Sequence, residues 1–441
     1  MTSGGSTPSS RETRAQLALA IPLSLQQIGV QLMGSVDAAM LGHYSDSALA
    51  GAGIGNNLLF AITAVAMGIV LGLDSIVPRA IGAGRIEDAR RSLAAGLRLA
   101  FLIGAATTLL VVASPFLLHL TNTPDDVVRD AKLYVYVRAI GVVPLLLSMA
   151  IRAYLSARST TRPLIIAVVA GNIVNAGLDL ILIFGVDSIG LPPMGVAGAG
   201  IATVIVQLVI IAVYFFAVRS LDGTAQLPVH SRADMKEIVR YGAPVGGQLL
   251  AEIGIFGLAT VLAAHLGKVP AAAHSIALNL SSITFSLAMG IGSATSVRVG
   301  HAIGAGDRAL ARRRGIIGLQ LGLAAMATFA SIFVIAPQVL TRIFTEDAFV
   351  IAATIPLLQI AALFQLSDGT QAIGAGALRG LGETRATLIG NVIGHYGIGL
   401  GISLTLAFGV GMGAPGLWWG LSAGLTATAI YLVLRFLRST R

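Results

Sequence analysis

Cysteine is absent from the 441 residues of this chain, and its absence excludes several kinds of function. Disulfide bonds, thiolate catalysis and cysteine-bound metal sites all require a residue that the sequence does not contain. The GxxxxGK(S/T) phosphate-binding motif is also missing, so ATP-driven transport by this chain is not expected. None of the seven histidines stands in an HExxH motif or another metal-ligand spacing.

Charged residues are scarce. They make up 11% of the chain, whereas 55% of the residues are hydrophobic and the mean hydropathy is +0.85. A water-soluble domain of this size does not normally have this composition, which is typical of a membrane protein. The net charge of +9 is carried by short basic clusters between long apolar runs, so it indicates membrane topology, and no nucleic-acid partner is expected.

The apolar runs are long enough to cross a bilayer, which requires about 20 mainly apolar residues in a helix. Twelve runs meet this condition, and the sequence therefore predicts an all-α membrane protein with twelve transmembrane helices. The runs cover 15–39, 48–78, 93–119, 131–155, 163–185, 194–218, 238–264, 271–300, 315–338, 348–376, 387–408 and 414–437.

Lysine and arginine are distributed unevenly between the two sets of segments that connect these helices. With both termini on one side of the membrane, 24 of the 29 basic residues lie on that same side. Basic residues are retained on the cytoplasmic side because they translocate poorly. The sequence therefore predicts a multi-pass protein with both termini in the cytoplasm.

The second half of the sequence repeats features of the first. A shift of 222 positions aligns Pro22 with Pro244, and it aligns the AMGI segment at 66–69 with the AMGI segment at 288–291. Each half contains six predicted helices, so the halves share one orientation and are related by an axis along the membrane normal. Two parallel six-helix bundles can enclose a cavity and operate by alternating access.

The repeat and the polar segments divide the chain into four predicted parts. These are a cytoplasmic polar tail at 1–14, an amino-terminal six-helix lobe at 15–219, a cytoplasmic linker at 220–235 and a carboxy-terminal six-helix lobe at 236–441. The linker is the natural domain boundary because it is polar and separates the sixth helix from the seventh.

Five carboxylates lie within the apolar runs, where each costs roughly 2.5–3.5 kcal/mol at the bilayer centre on insertion scales. A carboxyl group there can bind and release a proton or a cation as its surroundings change, or it can only fix helix packing through a buried hydrogen bond or ion pair. Function is the favoured interpretation for all but Asp74, which is five residues from Arg79 and fits an interfacial role equally well. The five are Asp37, Asp74, Asp179, Glu252 and Asp368.

Two features support a coupling role for these carboxylates. Asn175 precedes Asp179 by four residues, so the two side chains lie on one helix face. An amide and a carboxylate together provide oxygen ligands for a hard cation and a hydrogen-bond network for a proton. Glu252 and Asp368 have no basic residue at an adjacent helical position that could neutralise them.

Prolines and histidines within the apolar runs have two interpretations each. Pro22 and Pro244 kink their helices, which can provide a hinge or only suit packing, and packing is the favoured interpretation. His274 and His395 could handle protons, but polar packing is favoured for them as well.

Four segments of the sequence resemble one known family. AAAHSIALNLSSITFSLAMGIGSATSVRVGHAIGAGD at 271–307 looks like the eighth-helix region of the multidrug and toxic compound extrusion (MATE) family, especially its NorM-like branch. VDAAMLGHYSDSALAGAGIG, GNIVNAGLDLILIFG and FQLSDGTQAIGAGALRGLGETR resemble their counterparts in the same order. The resemblance therefore covers nearly the whole chain.

The resemblance implies a V-shaped pair of six-helix bundles in the bacterial inner membrane that exports cationic, amphipathic drugs in exchange for Na⁺ or H⁺. Asp37, Asn175 and Asp179 match the family's amino-terminal-lobe cation or proton site, and Glu252 and Asp368 match the carboxy-terminal-lobe carboxylates of NorM-like members. The resemblance leaves open which ion is used and which lobe couples.

The remaining expectations concern substrate and partners. We predict that the polar side chains of Gln26, Gln248 and Asn279 bind substrate. The expected partners are small organic cations and the lipid bilayer, and the chain is expected to be a monomer. No cofactor is expected other than the coupling ion, Na⁺ or H⁺.

The nearest alternative function is that of a flippase for lipids or lipid-linked oligosaccharides in the related superfamily. Such proteins commonly have extra helices and a basic cavity for pyrophosphate, whereas this chain has twelve predicted helices and an acidic interior. An intramembrane enzyme would need a nucleophile or metal set within the helices, and a channel would need a repeated polar filter. Neither pattern is visible, so the sequence favours a secondary antiporter that is not an enzyme.

Overall fold

A computed structural model describes residues 8–120, 123–223 and 228–441 of the chain. Residues 1–7 of the predicted tail and 224–227 of the predicted linker lie outside the described residues. The described chain is almost entirely helical, and an isolated β-bridge joins Val186 to Leu191.

Sixteen α-helices form within the described residues. They are α1 (Pro8–Tyr44), α2 (Asp46–Val70), α3 (Leu73–Gly82), α4 (Ile86–Ala113), α5 (Asp125–Ala139), α6 (Val142–Ala157), α7 (Arg162–Phe184), α8 (Val196–Asp222), α9 (Arg232–His265), α10 (Lys268–Gly304), α11 (Arg308–Ile335), α12 (Pro337–Arg342), α13 (Ala348–Leu381), α14 (Thr384–Asn391), α15 (Leu400–Leu404) and α16 (Ala414–Ser439). Short 3₁₀ helices cover Ser114–Leu120 and Asp187–Ile189, and π-helical segments cover Val392–Gly399 and Thr405–Gly409.

The helices account for the twelve predicted membrane spans. Eleven stretches of the described chain are long and apolar enough to cross a bilayer, and the pair α5 and α6 forms a twelfth that is bent by 48°. The bend falls within the predicted run 131–155, just before Pro144 in the first turn of α6. Because proline has no N–H to donate and its ring clashes with the carbonyl four residues earlier, it prevents α5 from continuing straight into α6.

The first helix begins at Pro8, within the segment that the sequence predicts as a polar tail. Glu12 hydrogen-bonds to the guanidinium groups of both Arg298 and Arg314, with 2.9 Å to Nε of Arg314. These charged contacts fix the first turns of α1 against α10 and α11. Hydropathy places the start of the helix later because it counts Glu12 and its neighbours as polar and takes no account of their partners.

The described chain forms two compact units, each packed around its own interior. The carboxy-terminal unit takes its residues from Met1–Ser24, Pro78–Gly84 and Gly247–Arg441, and the amino-terminal unit takes its residues from Leu25–Val77 and Arg85–Gly246. Within α1 and α9 the division falls two residues after Pro22 and Pro244, at equivalent positions of the repeat. The sequence-based lobes follow chain order, and that division stays a prediction.

Glycine permits a close helix contact at the same repeated position in each unit. In the amino-terminal unit, a Cβ atom on Gly68 of α2 would overlap the backbone of Gly246 in α9. In the carboxy-terminal unit, a Cβ atom on Gly290 of α10 would overlap the backbone of Ser24 in α1. The shift of 222 positions relates Gly68 to Gly290 and Ser24 to Gly246, so the repeat builds the same backbone contact twice.

Candidate functional site

The amino-terminal unit contains a buried acidic site, formed by Asp37, Asn175, Asp179 and Thr203 and called the amino-terminal site below. Asn175 and Asp179 of α7 are 0% exposed, while Asp37 of α1 and Thr203 of α8 are 8% and 7% exposed. The buried residues of α7 recur every three or four positions, and Asn175 and Asp179 continue that stripe. The side chains that the sequence predicts on one helix face therefore point into the interior of this unit.

Small residues bring the three helices of this site together. A Cβ atom on Gly171 of α7 would lie 3.1 Å from the Val206 side chain of α8 and 3.4 Å from the Met33 side chain of α1. Gly29 of α1 likewise lies against Val168 of α7, where a Cβ atom would come within 2.5 Å of a methyl carbon. This close approach places the polar groups one to two turns farther along within reach of each other.

The amino-terminal site holds an unusual number of unpaired polar atoms. Both side-chain polar atoms of Asn175, both carboxyl oxygens of Asp179 and one carboxyl oxygen of Asp37 have no hydrogen-bond partner among the described residues. The Asp37 and Asp179 carboxyl groups interact directly with each other, and when both are ionised neither has a hydrogen to donate. Because buried polar atoms are normally paired, this cluster has the donor and acceptor pattern of a site completed by a proton or a cation.

The Thr203 hydroxyl is a shared donor at the edge of this site. It lies 3.2 Å from Oδ2 of Asp37 and 2.9 Å from the backbone oxygen of Ala199. A hydroxyl has one hydrogen, so it donates to one of these oxygens at a time. When it donates to Ala199, the contact with Asp37 remains a hydrogen bond only if the Asp37 carboxyl carries a proton. The same neighbours therefore suit both the ionised and the protonated form of Asp37.

An apolar cluster closes one end of the amino-terminal site. Leu41, Ile183 and Ala199 lie one helical turn from Asp37, Asp179 and Thr203, respectively, and they pack together with Tyr134 of α5. All four cluster members are buried, with exposures of 5% or less. The buried cluster therefore shields the carboxyl groups on this side of the unit with apolar side chains.

The carboxy-terminal unit contains a second acidic site, formed by Gln248, Glu252, Asp368, Gln371 and Asn391 and called the carboxy-terminal site below. Nε2 of Gln371 lies 2.6 Å from Oε1 of Glu252 and 2.8 Å from Oδ1 of Asn391. Nε2 of Gln248, one turn before Glu252 on α9, lies 3.0 Å from the same glutamate oxygen. Amide nitrogens only donate, so this oxygen of Glu252 accepts two hydrogen bonds.

Asp368 completes the second site without a hydrogen bond of its own in the described part of the chain. It is 7% exposed and lies on α13 one turn before Gln371. Its carboxyl group is close enough to that of Glu252 for the two charges to interact. Each unit therefore holds a pair of carboxyl groups, and among the described residues the amide donors contact one member of one pair, Glu252 in the carboxy-terminal unit.

The other sequence-predicted residues lie outside these contacts. Asp74 forms a buried ion pair with Arg152, at 3.4 Å between Oδ2 and Nη2, which gives this carboxylate a partner for its charge. Gln26 is buried with its Oε1 unpaired within the described chain, whereas Asn279 is exposed on α10. The predicted substrate-binding role of Gln26 and Asn279 stays a prediction, and Gln248 is the one of the three that contacts an acidic site.

Three members of the two sites were missed by sequence reasoning. Gln371 follows Asp368 by three residues, so their shared helix face was available as a signal. Thr203 and Asn391 lie on α8 and α14, which carry none of the predicted site residues. The packing of α8 on α7 and of α14 on α13 brings the two side chains to the sites. A threonine in an apolar helix is too common to be a signal by itself.

The two histidines within membrane spans differ in their surroundings. His274 is held on both sides, because Trp418 donates from Nε1 to its Nδ1 at 3.2 Å and its Nε2 lies 3.2 Å from the Thr260 hydroxyl. His395 is 1% exposed in the π-helical segment after α14, and neither ring nitrogen has a partner among the described residues. His274 therefore has the contacts of a packing residue, whereas His395, four residues after Asn391, packs against the ring of Phe256.

The ligand chemistry of the amino-terminal site is that of hard oxygen donors. Two carboxylates, one amide oxygen and one hydroxyl oxygen are the groups that bind Na⁺-like cations, and they also form proton networks. Within the described residues, no group of three or more His, Cys, Asp or Glu side chains is arranged to hold a metal ion. The arrangement fits a transported ion that binds and leaves.

Comparisons with known proteins agree with this structure. A family model described as MatE matches residues 22–181 and 244–405, and the two matches begin at the prolines that the internal repeat aligns. The probable multidrug resistance protein NorM of Deinococcus radiodurans is 36% identical over 440 residues, which cover 98% of this chain and 96% of that protein. The multidrug resistance protein NorM of Burkholderia vietnamiensis is 33% identical over 430 residues, covering 95% and 92%.

A solved structure confirms the fold. The crystal structure of the eukaryotic MATE transporter AtDTX14 superposes with a TM-score of 0.89 over 98% of each chain, at 22% identity. The predicted fold class, an all-α membrane protein with the helices of the MATE fold, is therefore confirmed, and so is the predicted NorM-like resemblance. With both halves matched by one family model and full-length relatives above 30% identity, the chain belongs to the MatE family.

Proposed function

We propose that this chain is a secondary active multidrug efflux antiporter, which exports organic cations in exchange for Na⁺ or H⁺ by alternating access. The observation that carries the proposal is the amino-terminal site, where two carboxyl groups in contact lie buried with an amide and a hydroxyl and with most of their polar atoms unpaired within the described residues. The printed names of the NorM relatives, which describe multidrug resistance proteins, support a drug as the exported molecule.

The proposed exchange follows from the charges of the amino-terminal site. Two ionised carboxylates in contact repel each other, so one proton or one Na⁺ between Asp37 and Asp179 stabilises the pair. The amide oxygen of Asn175 and the hydroxyl of Thr203 supply the neutral contacts. When the ion leaves on the cytoplasmic side, the site regains its negative charge. A transporter couples two cations when occupation of the protein by one disfavours occupation by the other, and this coupling is reciprocal.

Glu252 and Asp368 form a second cation-binding site of the same cycle in this proposal. Their carboxyl groups interact with each other, and amide donors from Gln248 and Gln371 hold the charge of Glu252 in place. A negative charge positioned in this way attracts a cation within a region of low dielectric constant. No cofactor other than the coupling ion is part of the proposal.

Ethidium efflux from proteoliposomes tests the proposed function. The purified protein is reconstituted with ethidium inside, and either a Na⁺ gradient at equal pH or a pH gradient without Na⁺ is imposed. We expect one of the two gradients to drive efflux, and that gradient identifies the coupling ion. Absence of efflux under both gradients, with folded protein in the vesicles, would overturn the proposal and favour the flippase function.

A matched pair of variants connects the transport to the site. Asp179→Asn removes one of the two contacting carboxylates, and gradient-driven efflux is expected to fall to background. Asp126→Asn removes an exposed carboxylate in the first turn of α5 in the same unit, and it should leave efflux unchanged. Equal efflux by both variants would show that the ion is bound elsewhere.

We also propose that the chain lies in the bacterial inner membrane with both termini in the cytoplasm, as the distribution of Lys and Arg indicates. Because the chain has no cysteine, single introduced cysteines report their own side of the membrane. Val229→Cys, at a residue that is 93% exposed, should react with a membrane-impermeant maleimide in everted vesicles and not in intact cells. Asp126→Cys should show the opposite pattern, and an exchange of these results would reverse the orientation.

A further inference from the structure

The repeat places an arginine pair at the start of one helix in each half of the chain. The shift of 222 positions aligns Arg90 with Arg312 and Arg91 with Arg313, near the beginnings of α4 and α11. Equivalent residues in a repeat are expected to keep equivalent neighbours unless one copy has acquired a separate role. The two pairs therefore provide an internal comparison of charge.

Acidic side chains neutralise the first pair. Arg90 lies 3.0 Å from Glu87 and 3.6 Å from Asp222, measured between the nearest nitrogen and oxygen atoms. Arg91 lies 3.5 Å from Asp88. Two of these partners come from the turn of α4 that precedes the arginines, and the third comes from the end of α8. The first pair thus has an internal role in holding the amino-terminal unit together.

The second pair has lost these partners. The residues equivalent to Glu87 and Asp88 are Ala309 and Leu310, which carry no charge. Neither Arg312 nor Arg313 has a salt bridge or a side-chain hydrogen bond within residues 8–120, 123–223 and 228–441. Two guanidinium groups, which present up to five N–H donors each, therefore form no ion pair within the described part of the chain.

An open pocket lies along this face of α11. Its volume is about 340 Å³, and its floor combines the two arginines with aliphatic side chains from the next turns of the helix. The pocket is lined by Ala309, Arg312, Arg313, Ile316, Ile317 and Gln320. Ala309 occupies the position of Glu87 in the first half, so the loss of the acidic side chain leaves space as well as uncompensated charge.

The chemistry of this pocket selects a particular kind of molecule. Paired guanidinium groups bind phosphate oxygens, while the partly exposed Ile316 in the next turn of the helix offers a surface for hydrocarbon. With the orientation proposed above, the arginines lie at the cytoplasmic surface and Ile316 lies one turn nearer the bilayer core. Basic pockets at this depth on the cytoplasmic side of a membrane protein suit anionic lipid headgroups.

We propose that this pocket is a binding site for an anionic glycerophospholipid of the cytoplasmic leaflet. Arg312 and Arg313 bind the headgroup phosphate, and Ile316 contacts the first methylene groups of an acyl chain. In the amino-terminal half, Glu87 and Asp88 pair with the equivalent arginines and compete with a headgroup for them.

Thermal unfolding in mixed micelles tests the site. The full chain is purified in detergent, and its unfolding midpoint is followed as phosphatidylglycerol or phosphatidylcholine is added. We expect phosphatidylglycerol to raise the midpoint more than phosphatidylcholine does. In the variant Arg312→Gln/Arg313→Gln the apparent affinity for phosphatidylglycerol should fall about tenfold or more, because both charges that attract the anionic headgroup are removed.

Two further variants separate the site from general charge attraction. Arg85→Gln/Arg91→Gln removes the same amount of charge from the equivalent end of the amino-terminal half, where both arginines pair with Asp88, and it should keep the wild-type affinity. Ala309→Glu restores the acidic neighbour at an exposed position and should lower the affinity while both arginines remain. Equal losses in the two double variants, or no preference of the wild type for phosphatidylglycerol, would overturn the proposal. Stabilisation by inorganic phosphate alone to the same extent would also overturn it, in favour of a soluble phosphate ligand.

Discussion

The two acidic sites share an architecture but not a sequence position. Each unit holds two interacting carboxyl groups within a bundle of membrane-spanning helices. The repeat nevertheless aligns Asp37 with Ala259 and Glu252 with Val30, so neither site has a copy in the other half. The repeat has preserved the backbone contacts, as at Gly68 and Gly290, while the chemistry of each unit has diverged.

The sites differ most in how their charge is balanced. Glu252 accepts hydrogen bonds from Gln248 and Gln371, whereas the Asp179 oxygens have no donor in the described part of the chain. A carboxylate that already accepts hydrogen bonds loses them when a proton or cation takes the place of the donors. A carboxylate without donors only gains contacts when the proton or cation binds. The amino-terminal site is therefore the better candidate for the ion that binds and leaves in every cycle.

Neutralising each carboxyl pair is the strongest test of this difference. Asp37→Asn/Asp179→Asn should reduce gradient-driven ethidium efflux to background, because the site then has no charge to exchange. Glu252→Gln/Asp368→Asn should slow efflux but keep its dependence on the same ion gradient. The measurement is the initial efflux rate in proteoliposomes against gradient size. If the second variant alone loses the dependence on the gradient, the roles of the two sites are reversed.

Asp74 is a third kind of buried carboxylate, because it forms an ion pair with the side chain of Arg152. Arg152→Leu would remove one member of the buried ion pair with Asp74, a change that costs about 3–5 kcal/mol in unfolding free energy. We expect a large fall in the thermal unfolding midpoint, with ion coupling retained in the folded fraction. Arg129→Leu is the control, because Arg129 is exposed and its pair with Asp130 should contribute only about 0–1 kcal/mol.

A smaller effect is expected at the hydroxyl of the amino-terminal site. Thr203→Val keeps the shape of the side chain and removes the group that contacts Asp37. Loss of one hydrogen bond to a charged group corresponds to about 1.5 kcal/mol, so the ion concentration for half-maximal efflux should rise about tenfold. Thr63→Val, at a buried threonine of the same unit that bonds only to its own helix backbone, should leave that concentration unchanged. An unchanged value for Thr203→Val would remove the hydroxyl from the site.

The sequence alone predicts the spans and the carboxylates, because both depend on local composition, and it predicts the repeat because matching segments recur at a shift of 222 positions. Charge is rare enough in this chain that Asp37, Asp179, Glu252 and Asp368 are conspicuous within apolar runs. The bend between α5 and α6 falls within one apolar run. Hydropathy does not predict it, because hydropathy records the length of an apolar run and not the direction of the helix axis. A proline and a glycine near that point are consistent with the break but occur elsewhere in continuous helices.

The partners of the carboxylates could not be predicted in the same way. Asn391 and Thr203 reach their sites through contacts between helices that are distant in sequence, and nothing in their own neighbourhood marks them. The ion-pair partner of Asp74 is Arg152, which lies 78 positions away, whereas sequence reasoning singles out Arg79, five residues away. What sequence reasoning lacks here is the helix packing that decides which rare polar groups meet.

The smallest predicted effect concerns the amide donors of the carboxy-terminal site. In a cycle of Gln371→Met, Glu252→Gln and the double variant, the two residues should show a coupling of about 0.6–1.7 kcal/mol in unfolding free energy, the range found for polar contacts within membranes. Gln365→Met is the matched control, since Gln365 is equally buried on α13 but donates to the neutral hydroxyl of Thr284, so it should show no coupling to Glu252. A coupling of zero for Gln371 would mean that its 2.6 Å contact does not hold the charge of Glu252. The balance of charge would then no longer distinguish the two acidic sites.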